Sequence, residues 1–171
     1  MLRNVTFFLL AAALVLPATA QEHDNSAYLG AVSVDFSQAS EKLSSLAEAI
    51  PEDYFDWRPA EGIFSVVEVL NHVSTANFRL AAVLGHESDY KASATDTKEG
   101  ALARLAASQA HVKELLDSMA EADLNSTIEL YGMTMNHYGA VGAITAHTHE
   151  HLGQLIAYAR SNGIAPPWSG G

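Results

Sequence analysis

The sequence predicts an all-α protein, a four-helix bundle with a long crossover connection, preceded by a cleavable N-terminal export signal. Three observations predict it. Apolar residues recur at three- and four-residue steps in four separate stretches, the signature of amphipathic helices. Recognisable start and stop signals bracket those stretches. Strand-type alternation is scarce, and only "STIELYGMTM", within residues 126–135, reads as extended.

The first 20 residues stand apart. Arg3 precedes an apolar run from Val5 to Val15, Pro17 breaks it, and Ala18-Thr19-Ala20 supplies small residues at the cleavage positions. Cleavage is expected between Ala20 and Gln21. The run falls short of the roughly 20 apolar residues of a membrane span. The mature chain, residues 21–171, is therefore expected to be one exported domain, periplasmic or extracellular, without stable membrane insertion. Asn125-Ser126-Thr127 fits a glycosylation acceptor, relevant only in a eukaryotic secretory route.

The first helix carries one seam: Leu29, Val32, Phe36, Ala39, Leu43, Leu46 and Ile50 alternate steps of three and four, and Pro51 ends it. The loop "PEDYFDWRPAEGIF" is too aromatic for a free linker and should pack over one end of the domain. Ser65 and Glu68 form a capping-box pattern at the start of the second helix, which runs to about Gly85. After the polar segment "HESDYKASATD", Asp96 and Glu99 offer a third start. The third seam, Leu102, Leu105, Val112, Leu116 and Met119, is interrupted by Ser108 and Gln109. The fourth helix spans about Tyr138 to Asn162, with Arg160 in its last turn, Gly163 as a left-handed cap, Ile164 beyond it and then Pro166-Pro167. The longer connections permit a crossover rather than a simple up-and-down order.

Composition narrows function. The chain has 171 residues, 49% of them apolar, and no cysteine. Disulfides, thiolate metal sites and a cysteine nucleophile are excluded. A formal net charge of -11 repels nucleic acid and anionic lipid. No nucleophile elbow or phosphate-binding glycine loop occurs, and Gly153 stands where a zincin helix opening at His149-Glu150 would need histidine.

Histidine carries the remaining signal. A helix turns about 100° per residue, so His147 and His151 lie about 40° apart, while His149 lies about 200° from His147 and points away. Gln154 and Tyr158 continue the polar stripe. In the second helix His72 has Val69, Ala76, Leu80 and Val83 on its face, which aims it inward. Taken alone, His72 would be an ordinary buried histidine satisfied by one hydrogen bond. Imidazoles aimed inward from two helices are instead how bundles build metal sites. Three of them suit Zn²⁺ first, with Ni²⁺ or Fe²⁺ as alternatives, and leave a coordination position open. Glu150 or Glu68 could serve as a base, and Gln154 could orient a ligand imidazole. His23, His86, His111 and His137 have polar sequence neighbours and are expected at the surface, with His137 held open because it starts the fourth helix.

Four segments together resemble the DinB-like superfamily of four-helix metal-binding proteins. They are "YFDWRP" before the second helix, "SVVEVLNHV" within it, "HTHEHLGQL" in the last helix and the closing "YARSNGIAPPW". The resemblance covers nearly all of the mature chain. It implies a divalent metal held by His72, His147 and His151. It also implies either metal-dependent enzyme chemistry, of hydrolase or thiol S-transferase type, on an unknown small molecule, or a non-catalytic periplasmic metal-binding or stress-related interaction role. Members with an assigned activity include thiol-dependent S-transferases and a maleylpyruvate isomerase. The sequence leaves catalytic residues and oligomeric state open, a homodimer included.

Overall fold

The structure is a computed structural model and describes residues 26–170 apart from residue 92. The expected signal segment, its cleavage point and His23 lie outside the described residues. Four helices form: α1 (Ser26–Ala49), α2 (Val66–Val83), α3 (Lys98–Ser118) and α4 (His137–Ser161). A two-stranded antiparallel hairpin, β1 (Thr127–Leu130) and β2 (Met133–Asn136), precedes α4. The all-α expectation thus holds for the bundle and is corrected by this one hairpin. Its turn is Tyr131-Gly132, both with positive φ (55° and 73°), the left-handed geometry that two-residue hairpin turns require. Among the described residues no helix is long and apolar enough to cross a membrane.

The helix ends follow their local chemistry. The Ser65 side chain accepts from the Glu68 backbone N–H while the Glu68 carboxylate accepts from Ser65 N–H at 2.7 Å, a reciprocal capping box. The cap of α3 is Thr97, one residue past the expected Asp96, and it accepts from Gly100 N–H at 3.2 Å. At the end of α4, Gly163 takes φ 73° and Ile164 N–H donates back to the Ala159 carbonyl at 2.9 Å. No glycine is needed where α1 stops. Lys98 reaches across to take the Glu48 and Ile50 carbonyls at 2.8 and 2.6 Å.

Packing gives the order around the bundle. α2 lies against α3 and α4, and α1 lies against α4 and α3, so α1 faces α2 and α3 faces α4 across the diagonals. Both diagonal connections are the long ones, and the expected crossover follows. The first carries the aromatic loop, which packs over one end as anticipated. Phe55 is buried, and Trp57 meets Tyr158 edge-on at 5.2 Å. The second connection carries the hairpin.

The core divides into two apolar clusters. One joins Leu43, Leu46, Ile50, Leu70, Leu105 and Leu155; the other joins Phe36, Leu80, Val112, Leu116, Leu124 and Ile144. Between them buried polar side chains come from all four helices, including Ser40, Asn77, Ser108 and Thr148. Asn77 donates to Ser108 Oγ at 3.1 Å. Gln109 donates to the Ser40 carbonyl at 3.2 Å and accepts from the Ser44 hydroxyl at 2.9 Å. The interrupted third seam is therefore a set of helix-to-helix hydrogen bonds. Arg104 adds another, donating to the Asn71 carbonyl at 2.8 Å and to Thr75 Oγ1 at 3.0 Å.

Phe36 is 1% exposed at the centre of the second cluster. Phe36→Asp should cost about 3 kcal/mol or more, because it buries an unpaired charge. Denaturant unfolding of the two proteins measures the difference, and equal midpoints would place α1 wrongly.

Candidate metal centre

Two helices build the site. His147 and His151 stand one turn apart on α4, and His72 faces them from α2. His147 Nε2 lies 3.0 Å from His72 Nε2 and 3.2 Å from His151 Nε2. One ring nitrogen of each residue falls within 4.8 Å of the other two. Metal–nitrogen bonds of about 2.0–2.1 Å put tetrahedral donors roughly 3.3 Å apart and cis-octahedral donors roughly 2.9 Å apart. The two spacings from His147, 3.0 and 3.2 Å, fall between these values.

The tautomer of His151 follows from a chain of hydrogen bonds. The Phe64 backbone carbonyl only accepts, so the Tyr158 hydroxyl donates to it, at 3.0 Å. The Tyr158 oxygen then accepts from the Gln154 amide nitrogen at 2.8 Å. That turns Gln154 Oε1 towards His151 Nδ1, 2.7 Å away. An amide oxygen only accepts, so His151 carries its proton on Nδ1 and its Nε2 lone pair points at the other two imidazoles. The orienting role expected for Gln154 is what the geometry provides.

Burial disfavours the charged form of His147 and His72. His147 is pushed down to about 4, first by desolvation and then by the neighbouring His151 and His72 imidazoles. His72 is lowered for the same leading reason. Neutral imidazoles offer lone pairs, which is the form a cation takes up. The donor set, its convergence and the lowered pKa values of His147 and His72 therefore fit a divalent metal ion. His147 Nδ1 is buried without a hydrogen-bond partner, so the support that Gln154 gives His151 has no counterpart there.

Other expectations resolve differently. His149 points away as its angle requires and meets Asp35 on α1 at 3.1 Å in an exposed pair. Glu68 takes the capping role expected of it and pairs with Arg58 at 3.2 Å; its pKa is lowered chiefly by the Ser65 backbone hydrogen bond, and these contacts lend no support to the alternative expectation of a base. Glu150 is the carboxylate whose charge is felt by both His72 and His147. His137 begins α4 outside the triad. His111 is corrected from surface to buried, at 8% exposed, and His86 is partly buried.

His72 does not point into the core proper. It is the most accessible of the three, since its face ends in half-exposed Ala76 and exposed Val83. It borders, with His147, a cavity of about 470 Å³. Thr75, Arg79, Leu80 and Val83 of α2 form one wall, and Glu129, Leu130 and Tyr131 of the hairpin form the other. Sequence reasoning missed Arg79, Glu129 and Tyr131. The alternation in "TIEL" and the Tyr-Gly turn were the signals for the hairpin that carries two of them.

The fold has counterparts among known proteins. Residues 35–155, more than half of the chain, match the model of the DinB superfamily. The uncharacterized protein YjoA of Bacillus subtilis (strain 168) is 27% identical over 127 residues, covering 70% of this chain and 81% of YjoA. The crystal structure of YjoA, a DinB-like protein, superposes with a TM-score of 0.65 at 23% identity, over 78% of this chain and 92% of that one. A DinB-like protein from Bacillus cereus ATCC 10987 gives 0.68 at 16% identity, covering 77% and 93%. YfiT from Bacillus subtilis, described as a probable metal-dependent hydrolase with an unusual four-helix bundle topology, gives 0.63 at 17% identity, covering 86% and 93%.

Two measurements check the site. Alanine at His72, His147 or His151 should strip or sharply weaken bound divalent metal, while His149→Ala should leave it near wild type. Metal analysis after dialysis against a weak chelator decides this, and equal losses at His149 and His151 would mean the wrong helical register. Acidification supplies the second. In the folded metal-free chain His147 resists protonation down to about 4, whereas unfolding returns it to 6.5. Between those values the unfolded state binds more protons, so stability falls as pH drops. His147→Gln should flatten that part of a stability–pH profile, and an unchanged slope would show that His147 is not buried neutral. By its family match the chain belongs to the DinB superfamily.

Proposed function

We propose that this protein is a divalent-metal-dependent enzyme of hydrolase type acting on a small, partly apolar molecule. One observation carries the reading: three imidazole Nε2 atoms converge, and two of those rings, His72 and His147, border a cavity open to solvent instead of lying in a sealed core. A metal that only tied α2 to α4 would need no such access. The description of YfiT as a probable metal-dependent hydrolase supports the same direction.

In this reading His72, His147 and His151 hold the ion, most simply Zn²⁺, with Ni²⁺ or Fe²⁺ also compatible with three nitrogens. The ion supplies Lewis acidity at neutral pH. The chain does the rest. Gln154 and Tyr158 hold His151 in its ligand tautomer. Leu80, Val83 and Leu130 take the apolar part of the substrate, and Arg79 pairs with an anionic or carbonyl group. Glu150 lines a separate cleft at the Phe64 side with His151 and Gln154 and would accept a proton from that side of the triad. A thiol S-transferase reaction would use the same cavity and differs only in the nucleophile. We also propose export, with residues 1–20 removed, supported by the basic, apolar and small-residue order of that segment.

Screening carboxylic ester, amide and thiol-transfer substrates on metal-free and Zn²⁺-restored protein tests the function. The expected result is turnover that needs metal, falls by about 100-fold or more in His72→Ala (~2.7 kcal/mol of transition-state stabilisation), and shows a raised KM in Arg79→Ala. Turnover indifferent to chelation would sink it. The exported form should begin at Gln21 on N-terminal sequencing; a chain retaining Met1 contradicts export.

A further inference from the structure

A second cluster of ligand-type side chains lies away from the triad. His86 follows the end of α2, beyond Gly85, and His111 and Glu114 stand three residues apart on α3. A donor atom can be chosen from each so that all three lie within 4.8 Å of one another. The His86 and His111 rings are 4.5 Å apart and tilted by 31°, and His86 Nε2 is 3.9 Å from Glu114 Oε2. This is another region of the molecule: the end of α2 at Val83 lies roughly 16 Å along the helix from His72, at about 1.5 Å per residue.

The backbone orients two of the three groups. His111 Nε2 is 3.0 Å from the His86 backbone carbonyl. A carbonyl only accepts, so His111 is protonated at Nε2 and its Nδ1 lone pair is available. Metal-binding histidines are held in this way, by a hydrogen bond from the nitrogen that does not bind. His86 is fixed in turn by the α2 terminus, where its N–H donates to the Ala81 carbonyl at 2.9 Å. The Phe78 ring, 5.5 Å from that of His111, walls the other side.

We propose that His86, His111 through Nδ1, and Glu114 form a second divalent transition-metal site that pins the segment after α2 against α3. Two imidazoles and one carboxylate are a donor set for Zn²⁺ or a similar borderline ion rather than for Mg²⁺ or Ca²⁺, which want oxygen. Closing the 3.9 Å between His86 Nε2 and Glu114 Oε2 to a tetrahedral spacing of roughly 3.3 Å needs movement. Glu114, with a side chain 71% exposed, and His86, at 30%, supply it while buried His111 stays in place. The carboxylate adds the negative charge that the triad lacks. Its donors stand farther apart than those of the triad, 3.9 Å for His86 Nε2 and Glu114 Oε2 against 3.0 and 3.2 Å, so drawing them together costs more and the site binds more weakly than the triad.

Zn²⁺ titration of the metal-free protein by calorimetry, with the metal content of the product measured, tests the proposal. Two ions per chain are expected. Glu114→Gln changes an exposed side chain and keeps the fold; it should remove or weaken the weaker event and leave the tighter one. His86→Asn should do the same and abolish the part of the Zn²⁺-induced rise in Tm that the second ion supplies. Alanine at His147 should have the opposite effect, losing the tighter event alone. In nitrogen-detected NMR the second equivalent should shift His111 Nδ1, not Nε2. One ion per chain at saturation in the unsubstituted protein overturns the proposal. So does a second ion that survives both Glu114→Gln and His86→Asn.

Discussion

The hydrogen bond from the Tyr158 hydroxyl to the Phe64 carbonyl sets the chemistry of the site. It is one contact between a loop and a helix, yet the orientation of every polar group beyond it follows. Because the carbonyl cannot donate, Tyr158 must. Because Tyr158 has spent its proton, Gln154 presents its nitrogen to Tyr158 and its oxygen to His151. The outcome is an imidazole whose lone pair faces inward. The aromatic loop thus does more than cover the bundle end. Trp57 packs on Tyr158 and the Phe64 ring lies 5.3 Å from that of His72, so the same loop fixes one side of the site and shields another.

The site also explains an expensive feature of the core. A bundle of this size could be apolar throughout, but this one is split by a layer containing Ser40, Asn77, Ser108, Thr145 and Thr148. Buried polar groups cost free energy unless paired. Asn77 with Ser108, and Thr148 with the Ile144 carbonyl, are paired. The triad occupies the same level of α2 and α4, between Leu70 and Leu80 on one and between Ile144 and Leu155 on the other. Arg104 and Lys98 tie α3 to backbone carbonyls of α2 and of the end of α1, beside the buried apolar contacts of Ala101 and Leu105.

Much of this was legible in the sequence because it rests on local periodicity. The α1 seam, the Ser65–Glu68 box, the Gly163 terminus and the shared face of His147 and His151 are all set by residues within a few positions of one another. The rest depends on partners distant in sequence. His111 reads as polar because Gln109 and Lys113 stand two residues to either side of it. Its helical neighbours are Ser108 and Leu115, both buried, and that face carries it inward. The capping role of Glu68 is local and legible, whereas its ion pair with Arg58, ten positions earlier across the aromatic loop, is not. The cavity wall could not be read at all until the hairpin folded back to set Glu129 and Tyr131 opposite Arg79. Membership of the DinB superfamily agrees with the motifs in the second and fourth helices, and the likeness to YjoA and YfiT extends to the arrangement of the bundle.

The central claim is that His72, His147 and His151 are one coordination sphere, with Nε2 as the donor from each. Anomalous diffraction at the zinc edge from crystals grown with Zn²⁺ tests it most directly. The account predicts a peak between the three rings, about 2.0–2.1 Å from each Nε2, with Gln154 still bonded to His151 Nδ1. A density map with zinc bound elsewhere and none between these rings, or with zinc on His151 Nδ1, would contradict it.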